Sequence, residues 1–72
     1  MEVVKNRVSK KYFIVLEDSQ ETDFLVITPD GKIRQLEKHL FTQGDTIDPG
    51  TSVWKRRLTR VQMSQYREYH DE

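Results

Sequence analysis

The chain has no cysteine, and that absence removes disulfides, zinc ribbons, iron–sulfur clusters and cysteine nucleophiles from consideration. Long apolar runs are missing too: the longest, Tyr12 to Leu16, falls far short of the roughly 20 residues a bilayer-crossing helix requires. The opening Met-Glu-Val-Val-Lys lacks the apolar centre of a signal peptide, so a soluble, cytoplasmic protein with no membrane association is expected. No charge sign dominates. Lys and Arg number 12 against 12 Asp and Glu, which excludes a histone-like binder and an acidic tail protein. Glycine is scarce, and Gly31, Gly44 and Gly50 stand alone, so no glycine-rich loop is available to cradle a phosphate.

What is there fits one small domain spanning all 72 residues, with a flexible N-terminus and a frayed C-terminal tail expected. Apolar residues make up 35% of the chain. A domain this short buries about 60% of the surface its unfolded form exposes. The core must therefore come from Tyr12, Phe13, Phe24, Phe41, Trp54, Tyr66 and Tyr69 with a few aliphatics, or be shared across a homodimer.

The segment Lys11 to Glu17 is rich in aromatic and β-branched residues and bounded by the polar run 18–23, which predicts a strand. Its unbroken apolar stretch predicts burial on both faces, hence a central place in a sheet. Asp23 to Thr28 reads as a second strand of the same kind. Thr28-Pro29-Asp30-Gly31-Lys32 is the sharpest local signal. Proline presets the first corner of a turn, aspartate suits the second, and glycine accepts the positive φ that follows. That turn sends Lys32 to Leu36 back as a third strand, with a short helical turn near Lys38 to Phe41. The competing reading is a helix, because Ile33, Leu36, Leu40 and Phe41 also fall at helical spacing. Residues 42–52 read as a surface loop, Val3 to Val8 as an edge strand, and Ser52 to Arg57 as a strand or a helical extension.

Thr59-Arg-Val-Gln62 has the spacing of a capping box, and Leu58 and Met63 sit where a hydrophobic staple places them. A helix from Arg60 to about Tyr69 follows, with Met63, Tyr66 and Tyr69 or His70 toward the core. Its charges oppose the helix dipole: Arg60 stands at the positive end, and Glu68, Asp71 and Glu72 at the negative end.

Catalysis finds little support. His39 and His70 lie in different elements without metal-ligand spacing, the serines lack a nucleophile-elbow pattern, and Glu17, Asp18, Glu21 and Asp23 match no calcium loop. No enzyme, no metal and no cofactor is expected. Charge is nevertheless segregated. Residues 1–16 sum to +3, 17–30 to −5, 31–54 to zero, 55–67 to +5 and 68–72 to −3. The basic block is interleaved with aromatics, which makes Trp54, Lys55, Arg56, Arg57, Arg60, Tyr66 and Arg67 the candidate partner-binding residues. On the predicted helix Arg60, Ser64 and Arg67 share a face.

The expected fold is α+β: a small curled antiparallel sheet of three to five strands, an SH3-like barrel or a half-open sheet, with one C-terminal helix. The expected function is a non-catalytic interaction module for a protein partner. The alternative is a nucleic-acid-binding module, in which cations hold phosphates and an aromatic stacks on a base.

Overall fold

The structure, a computed structural model, describes residues 1–42, 45–46 and 58–70. One antiparallel sheet is built from β1 (Glu2–Lys5), β2 (Tyr12–Glu17), β3 (Asp23–Ile27), β4 (Ile33–Glu37) and a two-residue β5 (Asp45–Thr46). Its order is β4-β3-β2-β1-β5, and among the described residues it is open at both edges. The helix α1 (Arg60–His70) packs on the β2–β3 part of one face. The architecture is α+β, as expected, and no helix among the described residues is long and apolar enough to cross a membrane.

Alternation along β2 divides the core. Phe13 and Val15 point into a cluster with Val4, Val26 and Phe41, joined by Phe24, Leu36 and Leu40. Ile14 points the other way, into a cluster with Val3, Ile27 and Leu58 that Met63 and Tyr66 of α1 cover. The two-residue period of a strand produces this split, so β2 is central and buried on both faces, as its apolar run implied. Between Val15 and Glu17 the register shifts: Val15 pairs with Val26, while Glu17 pairs with Leu25. The extra residue, Leu16, is a bulge, and it turns Glu17 onto the helix-facing side of the sheet.

The turn after β3 forms as its residues dictate. Gly31 takes φ 86°, its N–H donates to Thr28 O at 2.9 Å, and the N–H of Thr28 donates to Lys32 O at 2.8 Å. The hairpin reading of 31–41 holds, and the helical alternative does not: Ile33 and Leu36 lie in the two opposite core clusters. A 3-10 turn at Lys38–Leu40 follows β4.

Two expectations need correcting. The first strand is shorter than Val3–Val8 and does not lie at an edge: Glu2–Lys5 sits between β2 and β5, with Val3 and Val4 both buried. Its second side is covered by the end of the expected helical turn and by part of the stretch read as a loop. Phe41 bridges to Asn6, and Asp45 and Thr46 pair with Val3 and Glu2. The 3-10 turn makes this pairing by carrying the chain from the end of β4 to the far side of β1. The expectation for 52–57 lies outside the described residues.

The helix begins where the capping box placed it. Thr59 Oγ accepts from the N–H of Gln62 at 3.1 Å, and the N–H of Thr59 donates to Gln62 Oε1 at 3.2 Å. Gln62 has a second role that its spacing did not announce. It is fully buried, and its Nε2 donates to Tyr12 O at 3.0 Å and Ile27 O at 2.9 Å. Tyr12 lies beyond the last β2–β3 pair, Ile14 with Ile27, so one amide joins the ends of two strands to the helix.

Candidate functional site

Of the seven candidate residues, Trp54, Lys55, Arg56 and Arg57 lie outside the described residues. Arg60 and Arg67 are exposed, on the side of α1 turned away from the sheet. With Val61, Ser64, Gln65 and Glu68 they line a shallow cleft of about 550 Å³. No ion pair among the described residues engages either arginine. Val61, 57% exposed, adds an apolar contact beside them, and Glu68 partly offsets their charge. Tyr66 is not part of this surface. It is half-buried against the Ile14–Ile27 cluster, and its ring meets His70 edge-on at 4.5 Å.

A second cationic region assembles from segments far apart in sequence. The turn joining β1 and β2 brings Arg7, Lys10 and Lys11 to the end of the sheet where β3 also ends. Hydrogen bonds fix that turn. Asn6 Oδ1 accepts from the N–H groups of Val8 at 3.0 Å and Ser9 at 2.9 Å, Lys10 N–H donates to Asn6 O at 3.0 Å, and Asn6 N–H donates to Lys11 O at 2.9 Å. Lys10 takes a left-handed φ of 64° to close it. The helix start is tied to the same end, because Thr59 Oγ donates to Pro29 O at 2.5 Å. Lys10, Lys11, Tyr12, Pro29 and Thr59 thereby line a cleft of about 340 Å³. Lys32 and Arg60 flank it in sequence. The nearby acid, Asp30, is already engaged: it accepts a hydrogen bond from Thr28 and lies 3.8 Å from Lys32. The Thr28 hydrogen bond chiefly holds its carboxyl below the ordinary value of 3.8.

The opposite end is acidic. Glu17, Asp18, Glu21 and Asp23 surround the β2–β3 turn, and Glu37 pairs with Asp23 across the sheet. Lys38 offsets part of this charge through an ion pair with Asp18. Gln35 Nε2 donates to Gln20 Oε1 at 2.9 Å and Asp23 Oδ2 at 3.0 Å, which orders the outer part of the turn. The last turn of α1 docks here, with Tyr69 OH donating to Glu17 Oε1 at 2.9 Å. The helix therefore runs alongside β2, its start at the basic end and its close at the acidic end. Its dipole adds to the separation of side-chain charge. Among the described residues no three His, Asp or Glu side chains converge as a metal site.

The candidate residues read from the sequence all lie between Trp54 and Arg67. The surplus of cations in residues 1–16 has no assigned place in that reading. The signal was in the turn: Arg7, Lys10 and Lys11 stand within five positions of one another, just before a strand whose far end is acidic. No protein-family model, no curated protein and no solved structure matches this chain.

Proposed function

We propose that this chain is a non-catalytic interaction module that binds a protein partner, its open sheet curled in the manner of a small SH3-type barrel. The 3-10 crossing from β4 to the far side of β1 supports the curl. The observation that carries the function is the outer face of α1, where Arg60 and Arg67, in no ion pair among the described residues, stand beside a half-exposed valine. Unpaired cations beside an apolar contact suit an acidic protein surface, and they steer encounter as well as hold the complex. Affinity capture on the full chain from native extract, with and without nuclease, tests the reading. A protein retained after nuclease treatment, with association slowed by Arg60→Glu together with Arg67→Glu, is the expected result. A bound set that vanishes with nuclease transfers the same surface to nucleic acid.

A further inference from the structure

We infer that the cleft at the basic end, between the β1–β2 turn, Pro29 and Thr59, is the seat of an acidic, extended segment of the protein partner. This deepens the interaction-module reading and rests on it. Three observations converge on the site.

The first is charge: Lys10 and Lys11 line the cleft, Arg60 follows its lining residue Thr59 in the chain, and the nearby acid, Asp30, is paired with Lys32 at 3.8 Å. The second is rigidity. Asn6 holds the turn through both its side chain and its backbone, and Arg7 N–H is bonded across to Leu40 O at 2.9 Å. A backbone already fixed has no ordering cost left to meet on binding, so only side-chain freedom is lost there. The third is the choice of residue at the left-handed position. Glycine takes φ 64° without steric strain, whereas a side chain there costs about 1 kcal/mol. Lysine contributes nothing to that backbone; what it contributes is a charge over the cleft.

Protein is favoured over nucleic acid by what surrounds the cations. Val8 at the tip of the turn is 86% exposed, and Tyr12 and Pro29 give the cleft an apolar wall. Aliphatic side chains of a peptide match that surface, and a sugar–phosphate backbone does not. Length acts in the same direction. At about 3.3 Å per residue, β2 separates the two ends by about 20 Å, more than twice the Debye length of about 8 Å in physiological salt. A short acidic segment in the cleft feels the cations alone, while a long polyanion running along the molecule meets the acids of the other end.

Titration of the isotope-labelled full chain, at low ionic strength, with a peptide of alternating glutamate and valine tests the assignment. Saturable amide shifts at Arg7–Lys11, Lys32 and Arg60 are expected. Lys10→Glu with Lys11→Glu should weaken binding at least about tenfold. Lys10→Gly, which relieves the backbone while removing the charge, should weaken it as well, which separates charge from folding. Glu21→Lys, at the far end, should not weaken it. Absence of saturable shifts, shifts centred elsewhere, or tighter binding of a thymidylate oligonucleotide at these residues overturns the inference. If the captured partner's binding is lost with Arg60→Glu and Arg67→Glu but unchanged by the Lys10 and Lys11 reversal, this site fails while the interaction-module reading stands.

Discussion

Gln62 completes an accounting problem that apolar packing cannot solve. Two carbonyls at the ends of neighbouring strands and the first N–H of the helix cap all find their partner in one buried amide. A buried acceptor stripped of its donor costs about 1–3 kcal/mol. Gln62→Leu, which keeps most of the volume and none of the hydrogen bonds, should therefore lower stability by about 2–4 kcal/mol. Urea unfolding should show a lower midpoint at unchanged slope. Lys10 points the other way. Lys10→Gly should raise stability by up to about 1 kcal/mol, because the relief of its left-handed strain exceeds the entropy that glycine adds to the unfolded chain. Gly31 admits no such freedom: a Cβ there would lie 2.2 Å from Val61 Cγ1, on a backbone at φ 86°. Gly31→Ala should push the β3–β4 turn off the start of α1, read as lost protection of the Val61 and Gln62 amides.

At the scale of elements, the helix is fastened at both ends by polar side chains, with Gln62 adding to Thr59 at its start. Thr59 holds its start to Pro29, and Tyr69 holds its last turn to Glu17. The Glu17 hydrogen bond chiefly raises the Tyr69 phenol above its ordinary value of 10.0. A folded-state value above the unfolded one means the stabilisation is fully present below pH 10.0 and is lost as pH rises through the folded value. The last turn of α1 should loosen at alkaline pH, and Tyr69→Phe should abolish the upward shift in a spectroscopic titration of the tyrosines. Elements set by neighbours in sequence were legible beforehand. The capping box needs only Thr59 and Gln62, and the Thr28–Lys32 turn needs only its own residues. The placement of β1 was not legible, because its second partner, Asp45 opposite Val3, stands in a stretch of turn-forming composition. Gln62's burial was hidden for the same reason: its acceptors lie 50 and 35 residues away. The cationic cleft escaped notice because the β1–β2 turn, Pro29 and Thr59 meet only after the sheet and helix have formed.

The chain is neutral, yet its described residues are bipolar, and the two properties are independent. Among the described residues Lys10, Lys11 and Arg60 stand at one end and Glu17, Asp18, Glu21 and Asp23 at the other, because β2 and α1 run side by side between them. At low ionic strength and neutral pH such a molecule should be retained on both anion- and cation-exchange matrices. It should leave each as salt shortens the screening length. Free passage through both would mean that the poles cancel at the surface. Lys10→Glu with Lys11→Glu should abolish retention on the cation exchanger while strengthening it on the other.

The pairing of Val3 with Asp45 has a bearing on how the chain is made. During synthesis β1 leaves the ribosome roughly forty residues ahead of the strand that closes its far side, a delay of seconds at usual elongation rates. Throughout that interval two adjacent valines and an open ladder are presented to whatever is nearby, a template for unwanted pairing. The nascent polypeptide thus passes through a hairpin stage at greater risk of aggregation than the finished domain, and chaperone capture of that stage would favour yield more than any gain in final stability.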